Sequence, residues 1–230
     1  MTDASHPFHL ATASLTDALY ESVRSRIISG DFKQGEKLTE SRIATDYNVA
    51  RTTAKACLER LIGVGLLIRS AHRSALIPTL GPAEIKDLFV AREAIETFAV
   101  SRLAVDATVP SSALQAHERL MSAASSESFD QQVEADASFH TALIRATDSA
   151  HLSRMHELIM GEVHLSMGQY RAHQSARPTT IVQEHGDILE AIAAGDADAA
   201  QQHMALHLHN AKERLLSRAD GVSTGDENAP

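Results

Sequence analysis

Asp136 and His140 stand four residues apart in a stretch with helical periodicity, DASFH, so they share one helix face. Two such side chains make half of a metal-binding set. His185 lies ten residues before Gly195 and His207 twelve after it. If Gly195 turns an antiparallel helical hairpin, a rise of ~1.5 Å per residue sets the two histidines within about one turn of the same height. Three imidazoles and one carboxylate suit a single divalent ion per chain, Zn²⁺ first and also Ni²⁺, Mn²⁺ or Fe²⁺. A metal that prefers five or six ligands would leave positions open for an oxygen ligand. A small organic acid fits there, because it can chelate the ion and pair with a nearby arginine.

A second group of residues points to different chemistry. Arg51, Thr52, Thr53 and Lys55 open a periodic segment whose Ala54, Leu58, Leu61 and Ile62 fall on its inner face. Side chains near the N-terminus of a helix reach base edges when that helix enters the major groove. Arg42 and the wing residue Arg73 complete the expected DNA contacts. Charge agrees with this division: residues 15–80 carry a formal +3, residues 81–230 carry −11, and the chain totals −9. Nucleic acid is therefore expected at the head alone. Ten of the thirteen histidines lie beyond residue 80.

The elements needed to position these groups can be read from the chain. Residues 1–14 are polar and aperiodic, a flexible arm. Helices are expected over Thr16–Ser29, Glu40–Tyr47 (capped by Thr39) and Arg51–Val64, with Asn48 in the turn between the last two. Leu66–Ile68 and Ser74–Ile77 read as two short strands. Together, residues 15–79 make a winged helix-turn-helix, and residues 80–83 a linker. Residues 84–219 are helical throughout, with helices near 83–105, 110–124, 127–147, 149–172, 178–194 and 196–218, and residues 220–230 form a disordered tail. The fold class is mainly α: the winged head plus an antiparallel all-helical bundle. No apolar run approaches the ~20 residues that span a bilayer, and the start lacks a signal-peptide pattern, so a cytoplasmic protein without membrane contact is expected. The single Cys57 reads as a small core residue. His151, His156 and His173 read as polar-face or helix-end residues, His203 and His209 as pointing away from His207, and His117, His6 and His9 as solvated.

The head resembles the GntR family of bacterial regulators. The resemblance rests on Ile28-Ser29-Gly30, Gly35-Glu36-Lys37-Leu38-Thr39-Glu40, Ile43-Ala44, Val49-Ala50-Arg51-Thr52-Thr53, Leu58-Glu59-Arg60-Leu61 and Gly65-Leu66. It departs from the family pattern at Ser41, where arginine is frequent, at Ala50, which replaces a capping Ser or Thr, at Lys55, and in a wing without glycines. The body resembles the FCD ligand-binding domain of the FadR-like branch, through Asp87-Leu88, Arg92-Glu93-Ala94-Ile95-Glu96, Asp136 to His140, Glu184-His185, Gly195-Asp196 and His207-Leu208. The resemblance implies a homodimer on a palindromic operator, metal ligation by Asp136, His140, His185 and His207, and Arg92 beside an effector. His164 is a further candidate for the effector cavity. The expected function is a DNA-binding regulator, a repressor, controlled by a carboxylate metabolite bound next to the metal. A regulator that senses the ion itself is the alternative, and a helical metalloenzyme a more distant one, since no separate acid/base pair accompanies the four ligands.

Overall fold

The computed structural model describes residues 15–70, 74–126, 128–170 and 178–223. The expected arm, Arg73, His173 and residues 224–230 of the expected tail lie outside these residues. The elements are α1 (Leu15–Ile28), β1 (Lys37–Leu38), α2 (Glu40–Asp46), α3 (Arg51–Gly63), β2 (Ile68–Arg69), β3 (Ala75–Leu76), α4 (Pro82–Val105), α5 (Ser111–Ser125), α6 (Phe129–Arg145), α7 (Ala150–Tyr170), α8 (Pro178–Ala193) and α9 (Ala197–Ser223).

In the head, Leu19, Val23 and Ile27 of α1 and Ala54, Leu58 and Leu61 of α3 are buried as their spacing requires, with Cys57 among them. Burial pushes the Cys57 thiol up to about 11, so it stays protonated at neutral pH. Thr39 caps α2 by accepting the Arg42 backbone N–H, whereas Ala50 offers α3 no side-chain cap. Asn48 takes the left-handed backbone, φ 50°, in the turn between the two helices.

The wing differs from its expected form. β3 is central in a three-stranded antiparallel sheet, flanked by β1 and β2. Leu38 pairs with Ala75, and Ala75 with Arg69. The strand expected at Leu66–Ile68 begins only at Ile68, because Leu66 and Leu67 turn inward and are buried. A two-residue partner such as Lys37–Leu38 has too little alternation to be seen in a sequence.

The body packs α4 along α9, α5 against α6 and α8 against α9. Gly195, at φ 73°, turns the α8–α9 hairpin. Two boundaries shift. The expected linker is not a free connector: Leu80 is buried, and Pro82 already begins α4, where its missing N–H costs nothing. α9 continues to Ser223, into the segment expected to be tail.

Head and body share one hydrophobic core, running from Leu19 and Ile27 through Ile77 and Leu80 to Ile85, Leu88 and Met160. Their closest approach is backbone against backbone. A Cβ on Gly65, itself at φ 76°, would lie 2.6 Å from the Leu158 carbonyl oxygen of α7, and a Cβ on Gly161 would overlap the Val64 carbonyl. Gly161→Ala should therefore push the end of α3 off α7 and cost about 1–3 kcal/mol, as overpacking does. Gly186→Ala, in mid-α8 with nothing within 4 Å of the added methyl, should instead stabilise; the expected gain is about 0.5–1 kcal/mol. Thermal melting of the two variants checks the contrast.

Candidate metal and DNA-binding sites

α6, α8 and α9 bring Asp136, His140, His185 and His207 together. One ligand atom from each lies within 4.8 Å of all the others, and all four residues are buried. His140 Nε2 and His207 Nε2 are 3.1 Å apart. His185 Nε2 is 3.3 Å from Asp136 Oδ1, and His140 Nε2 is 3.9 Å from Asp136 Oδ2.

The outer ring nitrogens explain why these inner atoms suit a cation. His207 Nδ1 donates to Glu184 Oε2 at 2.7 Å, and His140 Nδ1 rests 2.5 Å from Glu96 Oε2. Burial alone would raise the Glu96 carboxyl, but Arg92, His140 and His156 hold it well below its usual range. Burial likewise opposes ionisation of Glu184, and His207, Asn210 and Arg214 outweigh it. With carboxylates on the Nδ1 side of both rings, the Nε2 atoms of His140 and His207 face each other at hydrogen-bond distance, and rings that donate through Nδ1 alone present two lone pairs there. His185 leaves both ring nitrogens buried without a well-directed hydrogen bond. A divalent cation is the species that satisfies such a set, and carboxylate–histidine pairs are the usual support of metal ligands.

Burial pushes His185 down to about 3 and lowers His207 also. His185 is therefore neutral in the folded chain where free histidine, near ~6.5, is half protonated, and His207 is shifted in the same direction. Below that pH the unfolded state binds protons that the folded state refuses. Stability of the chelator-treated protein should be complete above about pH 6.5 and fall as pH drops from there toward 3. A melting temperature that stays level between pH 7 and about pH 5 would contradict this assignment.

Arg92 is fully buried on α4, and its Nε donates to Glu96 Oε1 at 2.7 Å. Its two terminal nitrogens are buried and have no hydrogen-bond partner among the described residues. His156 is the clearest departure from the sequence reading. It is buried rather than on a polar face, with Nε2 3.4 Å from Glu96 Oε1. Glu96 and Glu184 also escaped notice as site residues, although each lies in a motif quoted above, one turn after Arg92 and next to His185. His117 is half-buried, its ring centroid 6.4 Å from that of His185, and not solvated. His203 is half-buried and His209 exposed, and neither joins the four. His164 does not join them either; it lines a cavity on another face of α6.

On the head, Arg51, Thr52 and Lys55 are exposed at the start of α3, and Thr53 is half-buried. A groove of about 660 Å³ runs between α3 and the wing, lined by Thr39, Ser41, Arg51, Lys55, Arg69 and Ser74 among others. Arg69, which pairs with Glu59, is a basic residue of this face that the sequence reading did not single out. Arg42 is more engaged than expected: it pairs with Glu36 at 2.7 Å and Asp46 at 3.5 Å and lies over the Phe32 ring.

A winged helix-turn-helix head joined to an all-helical body is the architecture of a two-part DNA-binding regulator. Residues 15–77 match the bacterial regulatory proteins of the gntR family, and residues 87–210 match the FCD domain. The chain belongs to the GntR family of transcriptional regulators, in the group that carries an FCD domain. It is 23% identical over 206 residues to the uncharacterized HTH-type transcriptional regulator YdhC of Bacillus subtilis, covering 85% of this chain and 88% of that one. It is 24% identical over 207 residues to the HTH-type transcriptional repressor RspR of Escherichia coli, covering 89% and 90%. Its fold is similar to that of a GntR transcriptional regulator from Rhodococcus sp. RHA1, with TM-score 0.74, 24% identity and coverage of 89% and 99%. The protein is a DNA-binding transcriptional regulator and not an enzyme. No helix among the described residues is long and apolar enough to cross a membrane.

Proposed function

We propose that this regulator is a repressor whose operator binding is controlled by a small carboxylate held beside a divalent ion in the helical body. Residues 15–79 form the DNA-binding unit, and residues 84–219 the sensing unit. The observation that carries the reading is the coupling of two unsatisfied groups: four ligands converge from α6, α8 and α9, and Arg92, joined to them through Glu96, keeps its terminal nitrogens buried and unpartnered. A carboxylate that ligates the ion and accepts from Arg92 would satisfy both. The bound ion would supply Lewis acidity for the effector's oxygen, while Asp136, His140, His185 and His207 hold it, with Zn²⁺ the first choice of metal. Repression is supported by the naming of RspR, and of the gluconate operon transcriptional repressor of Bacillus subtilis, as repressors.

The chain acts as a homodimer on a palindromic site. Val90, Ala94, Phe98 and Val105 form an exposed apolar stripe along α4, suited to a second copy. The head's few phosphate contacts also favour two recognition helices over one. Arg51, Thr52, Thr53 and Lys55 read the operator, with Arg42 and Arg73 at its margins.

The test is an operator selected from random DNA, followed by gel-shift titration. Arg51→Ala should weaken binding by about 1–3 kcal/mol without changing the melting temperature. Carboxylates should release operator from metal-loaded protein only. If chelator alone shifts the titration and no acid does, the ion itself is the signal.

A further inference from the structure

A cavity of about 360 Å³ lies where α1 of the head meets α5, α6 and α7 of the body. Three arginines line it: Arg24 from α1, Arg119 from α5 and Arg145 from α6. The body is acidic, with a formal −11 over residues 81–230, so three guanidinium groups around one hollow are not its general character. Two of them are partly neutralised. Arg24 pairs with Glu134 at 3.0 Å, and Arg145 with Glu157 at 3.1 Å. Arg119 has no ion-pair partner among the described residues. The remaining polar lining is hydroxyl: Ser112, Ser138 and Thr141. His164 completes the wall, and its Nε2 is buried without a hydrogen-bond partner among the described residues.

The cavity opens on a different face of α6 from the metal centre, although its His164 is near enough to feel the Asp136 carboxylate. At 100° per residue, Glu134, Ser138, Thr141 and Arg145 fall within about 60° of one another on α6, opposite the face that carries Asp136 and His140. The two sites lie back to back across one helix. The hollow has the size of a small ligand pocket and a surplus of positive charge, with its donors set beside the apolar Ala137 and Ala142. Planar guanidinium forks with adjacent hydroxyls are the groups that recognise phosphate or clustered carboxylates.

We propose that this cavity is a second ligand site, for a small oxyanion with two or more negative charges, and that its occupant clasps α1 of the head to α5 and α6 of the body. Two sources share that chemistry, a phosphate ester and a polycarboxylate. Either meets Arg119 without displacing an existing partner. Glu134 is the single acid in the lining and opposes the occupant.

The test is isothermal titration of the full chain, after chelator treatment, with inorganic phosphate, ribose 5-phosphate and citrate in separate runs. At least one should bind saturably with one site per chain, and the tighter of the last two identifies the source. Arg119→Ala/Arg145→Ala, both exposed positions whose folding is checked by thermal melting, should weaken binding tenfold or more. Arg24→Ala should weaken it several-fold, since the head supplies that contact. Glu134→Gln should tighten binding several-fold even though it breaks an ion pair, a direction that a merely structural role would not produce. His207→Ala should leave it unchanged, which keeps this site distinct from the metal-linked one. No saturable binding of any of the three at millimolar concentration overturns the proposal. So does binding that is indifferent to the arginine substitutions, or that is lost in His207→Ala. Binding that is indifferent to Arg24→Ala overturns the clasp.

Discussion

His140→Ala protein, prepared without chelator and offered Zn²⁺, Ni²⁺ or Mn²⁺, is expected to retain less than about a tenth of an equivalent of metal, where the parent chain retains close to one. His140 is central to the set. Its Nε2 is 3.1 Å from that of His207 and 3.9 Å from Asp136, and its other nitrogen is braced by Glu96. Its removal takes away one ligand and unties the support of the rest. His207→Ala should behave alike, and His203→Ala, four residues away on α9, should keep its metal. Glu184→Gln separates support from ligation. It leaves all four ligand atoms in place but removes the anion that orients His207, and should weaken metal affinity about 10–100-fold. Elemental analysis after gel filtration decides the matter. A parent protein that holds none of the three metals would remove the site altogether.

Arg92→Met is expected to be the most destabilising single change in the body. Arg92 and Glu96 are both buried, and the substitution leaves the carboxylate without its guanidinium. Removing one partner of a buried ion pair costs about 3–5 kcal/mol, largely because the other charge stays desolvated. Arg92→Met/Glu96→Gln should recover much of the loss, since no net charge is then stranded. Arg92→Lys keeps the charge but not the planar fork, so its main effect should fall on effector response and not on stability. Denaturant unfolding checks the first two. If Arg92→Met costs less than about 1 kcal/mol, Glu96 is neutral in the folded chain and the pair is not ionic.

The elements and the four candidate ligands were largely legible in the chain because they depend on short-range periodicity. Asp136 and His140 share a helix face, and Gly195 measures off His185 against His207. The site's supporting groups were not legible in the same way. Glu96 reaches His140 across two helices, and His156 reaches Glu96 from a third, α7; nothing within the segment around His156 marks it as interior. Arg24 and Arg145 lie more than a hundred residues apart and meet only because α1 docks on the body. Leu80, which the surrounding Pro78, Gly81 and Pro82 had marked as linker, is buried in the core that head and body share. Burial that depends on a distant partner leaves no local periodic trace.

Val64 and Gly65, seated against Leu158 and Gly161, bear on how such regulators can be recombined. A chimera cut at residues 80–83 would keep the chain continuous but set a new head on this α7. Any head with a side chain in place of Gly65, or any body with one in place of Gly161, would meet a carbonyl at a distance no side chain tolerates. The transplantable unit is therefore larger than the segment that touches DNA. It carries with it the strip of α7 from Leu158 to Gly161, and a graft should succeed only when both sides of that seam keep glycine where Gly65 and Gly161 stand.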